Sequence, residues 1–236
     1  MNMGKGTDTL FYDREIKECK AFRDILQGVD RVETLAAKIV MHQGEFGEHV
    51  RRVREITKYL LTNTPVGENI TPDIVEQVDM GVILHDIGKL VIPNPILKKT
   101  GKLTREEYEI MKMHTICGTE LLKQIPHFES HPAYERVYDI VLHHHERWDG
   151  RGYPDGLKGN EISFSVQVMS MADVYDALVA KRVYKDAFEY DKTVQMMADG
   201  ECGEFNPEML QYFLDAEPVL REFYEDGGGE KKTNGK

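Results

Sequence analysis

Apolar side chains recur along this chain at the three- and four-residue spacing of helices that face a core, and strand-like alternation is absent or very short. From about Phe46 to Leu61, Val50, Val53, Ile56 and Leu60 fall on one stripe, which predicts a helix with that face buried. Thr71-Pro72 reads as a helix start: a threonine oxygen caps the first turn, and proline there gives up an N–H that has no partner anyway. Ile74, Val75, Val78 and Val82 follow as the inner face. Thr104 with Glu107 three residues on predicts a capping box. One helix is then expected to carry Tyr108, Met111, Thr115, Gly118, Leu122 and Ile125 along a single face. Another runs from about Phe164 to Ala180, and a further one, led by Ile140-Val141-Leu142, closes in His143-His144-His145. The expected fold class is all-α.

Two stretches interrupt this pattern. Ile92-Pro93-Asn94-Pro95 forbids a continuous helix. Gly150, Gly152, Pro154, Gly156 and Gly159 make Trp148 to Asn160 a long loop. Loops of that length in compact domains usually carry function, and this one holds the only tryptophan. Residues 1–44 read as a helical lead-in suited to a stalk or a dimer contact, 45–222 as the main domain, and 223–236 as a disordered tail around Gly227-Gly228-Gly229.

The 236 residues suffice for one well-buried domain with a short accessory segment. A net charge of −11 argues against a nucleic-acid polymer as partner, although a small anion is still open to binding through metals or a few local cations. No apolar run approaches the roughly 18 residues of a membrane span, and Met1 to Thr9 lacks a secretory apolar region. Cys19, Cys117 and Cys202 are far apart, which suits reduced thiols in a cytoplasmic setting.

Nine histidines give the chain its chemical character. His85-Asp86 ends the apolar run Met80 to Leu84, while His49 and His114 lie on or beside the inner stripes of their helices. His144 and His145 close another helix, and Asp173 interrupts the core-facing run Met169 to Tyr175. A single histidine on an apolar face is usually an ordinary core residue, but a buried, unpaired carboxylate costs several kcal/mol. Separate helices that each deliver a His or Asp inward are explained together if they converge on divalent cations. Imidazole mixed with carboxylate suits iron, manganese, nickel or zinc, and the lack of thiolates argues against a structural zinc.

His85-Asp86-Ile87-Gly88-Lys89, Gly152-Tyr153-Pro154 after His144 to Gly150, Ala172 to Leu178, and Phe205-Asn206-Pro207 resemble the HD-GYP family over about Glu45 to Leu214. That family is a subgroup of HD-domain phosphohydrolases that opens cyclic dinucleotides, chiefly cyclic di-GMP, in bacterial signalling. The resemblance implies a helical bundle of the HD type with a GYP loop and two or three divalent metal ions, iron first. It implies metal ligands at His49, His85, Asp86, His114, His144, His145 and Asp173, with His143 left as a helix end. Glu45 precedes His49 by one turn on the same face, a spacing that fits relatives with an added glutamate and a third metal. Glu48 competes for that role, and a solvated carboxylate on the helix N-terminus is the plain alternative.

The resemblance further implies Lys89 and Asp86 in the chemistry, and Tyr153, Arg182 and Lys185 against the substrate. Asp176, one turn from Asp173, is suited to orient a ligating histidine. Thr100, Thr115, Ser163, Gln167 and Val183 depart from the usual family residues, and substrate preference is where that bears. The implied reaction is attack on a phosphodiester by a metal-bridged hydroxide, giving pGpG, with GMP as a further product. A homodimer and a sensor domain, fused or separate, are the implied partners. The rival readings are another HD-type nucleotide phosphohydrolase and a non-catalytic module that binds a cyclic dinucleotide.

Overall fold

The computed structural model describes residues 19–41, 45–180 and 188–225, and every regular element among the described residues is helical. The helices are α1 (Lys20–Leu26), α2 (Val32–Val40), α3 (Glu45–Asn63), α4 (Pro72–Leu84), α5 (Asn94–Leu97) and α6 (Arg105–Lys112). They continue with α7 (His114–Leu122), α8 (Tyr134–His143), α9 (Phe164–Val179), α10 (Tyr190–Ala198) and α11 (Pro207–Glu225).

The capping residues behave as their chemistry requires. Thr71 takes the N–H of Ile74 on its hydroxyl at 3.4 Å. Thr104 and Glu107 form a reciprocal box, with side chain to backbone distances of 3.2 and 2.7 Å. Val50, Val53, Ile56 and Leu60 on α3 are all fully buried. Burial of each such side chain contributes roughly 1.5–3 kcal/mol, which fixes the face α3 turns inward.

The single helix expected after Thr104 is two helices that part at Met113. Tyr108, expected on the inner face, is 48% exposed. The cause lies in what each half packs against. No residue of α6 is buried, so nothing draws its stripe to the core, whereas α7 is pulled tightly onto the turn 87–90. The break lets His114 start a new helix, its Nδ1 turned back to the Met111 carbonyl at 2.7 Å.

Two apolar clusters flank the central helices. One gathers the far half of α3 with Val78 and Val82 of α4, Ile140 of α8, and α9, α10 and α11. The other joins Val50, Ile83, Leu84, Val137 and Val141 to α7. Helices α1 and α2, within the segment expected as a lead-in, place Phe22, Val32, Leu35 and Ile39 in this second cluster. Helices α3, α4 and α8 thus carry residues of both. Polar clamps lock their relative rotation: Arg54 pairs with Asp79 through two bonds of 2.7 Å, and Arg136 of α8 donates to Gln77 and Ser165. Helix α11 runs through the expected boundary at 222 to Glu225, and the tail beyond it lies outside the described residues.

Candidate metal centre

Five helices supply the chemistry: His49 from α3, His85 and Asp86 just past α4, His114 at the start of α7, His144 and His145 past α8, and Asp173 within α9. Gly88 sets the closest approach. A Cβ there would lie 1.8 Å from the His114 carbonyl oxygen and 2.5 Å from the Gly118 nitrogen. Only glycine lets the α7 backbone sit directly on the turn after Asp86, and this contact brings His114 to the aspartate.

The groups fall into two triads. In each of His49–His85–Asp173 and His114–His144–His145, the nitrogen or oxygen atoms lie within 4.8 Å of one another. Asp86 stands between them, with Oδ2 3.3 Å from His85 Nε2 and Oδ1 3.5 Å from His114 Nε2 and 3.9 Å from His144 Nε2.

Backbone carbonyls fix the imidazole tautomers. Nδ1 of His85, His114 and His144 lies 2.6, 2.7 and 3.1 Å from the carbonyl oxygens of Val82, Met111 and Ile140. A carbonyl only accepts, so each Nδ1 carries the proton and each Nε2 turns a lone pair into the centre. His49 is oriented differently: its Nδ1 donates to Asp176 Oδ2 at 2.7 Å. That fully buried carboxylate is itself held by Arg52 Nε at 2.6 Å and by the Tyr224 hydroxyl at 2.8 Å. Asp176 therefore orients His49, the role its spacing from Asp173 suggests.

This donor set fits divalent cations. His85 Nε2 and Asp86 Oδ1 are buried without a hydrogen-bond partner, a costly state unless a cation satisfies them. His114 Nε2 and His144 Nε2 face each other at 3.2 Å, and with both Nδ1 atoms protonated these are two opposed lone pairs. A cation between them removes the repulsion. Burial, with Lys89 adding to it, pushes His114 down to about 4 against the nearby Asp86 carboxylate. Burial and adjacent imidazoles likewise hold His144 and His145 well below the usual value, so all three present neutral nitrogen near pH 7. At Asp86, burial opposes ionisation, but the Lys89 ammonium 2.5 Å away and the surrounding imidazoles keep the carboxyl well below its ordinary range. At His49, burial favours the neutral ring, and the bonds from Asp173 and Asp176 outweigh it to raise the pKa to about 9.

The glycine- and proline-rich loop is tied to the centre by a buried carboxylate. Glu146 accepts from the N–H groups of Asp155, Gly156 and Leu157 at 2.7, 3.0 and 3.0 Å. A Cβ on Gly152 would meet the Glu146 Cα at 2.4 Å, so the loop can fold back over its own root only with glycine there. The result stacks Tyr153 on His145, with centroids 4.7 Å apart and planes 24° from parallel. Arg147 braces the other side, donating to the Ser170 hydroxyl at 2.8 Å and to the Cys202 carbonyl at 3.2 Å.

The structure thus brings His49, His85, Asp86, Lys89, His114, His144, His145, Tyr153 and Asp173 into one region. His143 stands apart, its nitrogens 2.7 Å from Asp139 and 3.0 Å from Asp155. The Glu45 side chain, and Arg182 and Lys185 entirely, lie outside the described residues. Sequence reasoning missed Glu146, Arg147 and Tyr224. A carboxylate placed directly after paired histidines and ahead of a glycine-rich loop was a readable sign for Glu146, whereas Tyr224 is 48 residues from the aspartate it holds.

A family model described as HD domain matches residues 33–208. A cyclic di-GMP phosphodiesterase of Vibrio cholerae is 37% identical over 205 residues, covering 85% of this chain and 41% of that protein. A 3'3'-cGAMP-specific phosphodiesterase 2 of the same organism is 34% identical over 184 residues, covering 78% of this chain and 34% of the relative. The chain thus spans well under half the length of these curated relatives. Among solved structures, Bd1817, a HDG"Y"P protein from Bdellovibrio bacteriovorus, aligns with a TM-score of 0.59 at 18% identity, over 93% of this chain and 74% of that one. At that identity the likeness shows the helical fold alone.

Proposed function

This chain belongs to the HD-domain family, in its HD-GYP subgroup, and from that premise we propose that it is a metal-dependent phosphodiesterase that opens cyclic di-GMP to linear pGpG, with GMP as a further product. One observation carries the reading: two triads of ligand atoms flank Asp86, whose buried Oδ1 and the neighbouring His85 Nε2 have no hydrogen-bond partner. His49, His85 and Asp173 would hold one cation, His114, His144 and His145 a second, and Asp86 both. The mixed imidazole and carboxylate set suits iron, manganese, nickel or zinc, and the family resemblance puts iron first among them. A third cation would call on Glu45. Bound there, such cations supply a water acidified from ~16 toward ~7 and positive charge at phosphorus.

The chain's own residues do the rest. Water oxygen adds to phosphorus and the bond to one ribose oxygen breaks, leaving a phosphate monoester and a free hydroxyl. Lys89, its ammonium beside Asp86, meets negative charge as it grows on the phosphoryl oxygens. Tyr153 walls the His145 side and limits how the phosphodiester enters. Arg182 and Lys185 are proposed as phosphate contacts, and the charge-assisted bonds of such cations typically contribute ~1.5–3 kcal/mol each. No helix of the described residues is long and apolar enough to cross a membrane, and Cys19, Cys117 and Cys202, none of them in a disulfide, suit a reducing, cytoplasmic compartment. A homodimer, and a sensor domain in the rest of a longer chain, complete the proposal.

The test is turnover of cyclic di-GMP and 3'3'-cGAMP by protein reconstituted anaerobically with iron or manganese, with bound metal measured. Metal-loaded protein that cleaves neither would refute the enzyme reading. Cleavage of 3'3'-cGAMP alone would move the substrate and keep the chemistry.

A further inference from the structure

Helix α6 stands beside the His114–His144–His145 half of the centre, buries none of its residues, and presents a large aromatic side chain to solvent. Tyr108 is 48% exposed. Its ring centroid lies 6.4 Å from that of Tyr153, with the planes 81° apart, so the two rings make an open corner. Tyr153 stacks on His145 and stands 6.5 Å from His114. Aromatic surface therefore runs outward from the imidazoles through Tyr153 to the free face of Tyr108. Lys112, one turn beyond Tyr108, holds its ammonium 5.6 Å from the Tyr108 centroid and 5.7 Å from that of Tyr153. Glu109 pairs with that ammonium at 2.6 Å and keeps it on this side of α6.

We propose that Tyr108 and Lys112 form a base subsite: a purine of the cyclic dinucleotide stacks on the Tyr108 ring, and the Lys112 ammonium reads its acceptor edge. The assignment rests on the cyclic-dinucleotide reading above and adds to it which base is preferred. Position argues for a base over a phosphate. In a nucleotide the base stands one sugar away from phosphorus, and Tyr108 stands one aromatic ring away from the imidazoles around which phosphorus would react. An exposed tyrosine on a helix with no buried face contributes little to folding, whereas a ring face open to a flat π-surface is worth a marked gain in binding. The ammonium supplies the selectivity. Guanine offers two adjacent acceptors, N7 and O6, where adenine offers N7 beside an N6 donor. A cation with three donors and no acceptor therefore favours guanine.

The experiment uses metal-loaded wild type, Tyr108→Ala, Tyr108→Phe and Lys112→Met. Each is assayed on cyclic di-GMP, cyclic di-AMP and bis(p-nitrophenyl) phosphate, a diester without a purine, and binding of cyclic di-GMP is measured by calorimetry. Loss of one stacking surface is expected to raise KM and the Kd for cyclic di-GMP by about 10-fold in Tyr108→Ala, with kcat and the purine-free diester hardly changed. Tyr108→Phe keeps the ring and should restore KM. Lys112→Met should narrow the preference for cyclic di-GMP over cyclic di-AMP. Unchanged KM and Kd in Tyr108→Ala would overturn the subsite. So would an equal loss on the purine-free diester, which would make Tyr108 only a support for Tyr153. Wild type that binds cyclic di-GMP without cleaving it would sink the reading of cyclic di-GMP as substrate alone, because the Tyr108→Ala binding curve still decides the subsite. Wild type that does not bind it removes both.

Discussion

Asp176→Asn keeps the heavy-atom count at the centre, yet it should loosen the metal more than it loosens the fold. The carboxylate is fully buried and accepts from His49 Nδ1 at 2.7 Å, Arg52 Nε at 2.6 Å and the Tyr224 hydroxyl at 2.8 Å. All three partners donate. An asparagine keeps one accepting oxygen, and its amide group turns N–H bonds toward a neighbour that is itself a donor. If the amide faces His49, the ring loses the acceptor that fixes its proton on Nδ1, and its Nε2 no longer offers a lone pair beside Asp173. Loss of such an orienting partner typically costs about 10- to 100-fold in metal affinity. Breaking a buried ion pair by removing one partner costs about 3–5 kcal/mol, but Arg52 is 21% exposed and has Glu48 3.7 Å away. A fold loss of about 2–3 kcal/mol follows, with the discount for solvent around the guanidinium. The assay is competition for manganese against a chromophoric chelator, paired with urea unfolding of the metal-free protein. Tyr224→Phe is the control, since it removes a single hydrogen bond worth ~1 kcal/mol and leaves the carboxylate in place. Wild-type metal affinity in Asp176→Asn would refute the orienting role.

Three further outcomes follow from the geometry. Asp86→Ala removes the carboxylate between the triads, so hydrolysis should vanish and metal content should fall while far-ultraviolet dichroism stays helical; turnover near wild type would remove the metal mechanism. Glu146→Gln strips the charge that holds three loop N–H groups, with an expected loss of ~1.5–3 kcal/mol and faster protease cleavage within 150–158; an unchanged cleavage rate would show that the loop holds itself. His143 is partly buried, which favours its neutral form, but its bonds to Asp139 and Asp155 outweigh this and raise its pKa above the ordinary 6.5. Its stabilisation is therefore full below 6.5 and fades as pH rises through the elevated folded value; His143→Gln should flatten the fall in Tm over that window, and a parallel pH curve in the variant would exclude the latch.

The helices were legible because their signals are local. The Thr71 and Thr104 caps and the α3 stripe each rest on side chains within a few residues of one another, so their pattern reads locally even though the stripe gains its stability from the core it faces. The stripe assigned after Thr104 failed because periodicity cannot tell a helix that has a core to face from one that has none. No residue of α6 is fully buried, and α7 follows the glycine contact at Gly88 instead. At the centre, His49, His85, Asp86, His114, His144, His145 and Asp173 were readable as candidates, since apolar surroundings make an inward polar residue conspicuous. Their supports were not. Tyr224 looks like any aromatic residue near the end of a helix, and its hydroxyl reaches Asp176 only through the packing of α11 against α9 and α3.

The supports also make the two triads chemically unequal. His114, His144 and His145 are neutral near pH 7, and the charge in their half comes from the shared Asp86 with the Lys89 ammonium beside it. His49, His85 and Asp173 add a second carboxylate, but without a cation that carboxylate is answered by a proton on His49, whose pKa stands near 9 between two aspartates. A divalent ion entering this half must displace that proton, so its hold depends on pH across the neutral range. In the other half His114 would compete with a proton only near 4, and burial holds His144 and His145 well below their usual value as well. One of the proposed cations would thus be held by neutral, buried nitrogen and its neighbour by an anionic, proton-coupled set. Asp86 stands between the two sets, and with a cation in each the asymmetry would leave the larger uncompensated positive charge on the His114–His144–His145 side. That is also the side Tyr153 and Tyr108 border, so an anionic diester would be drawn to the half where the aromatic surface stands.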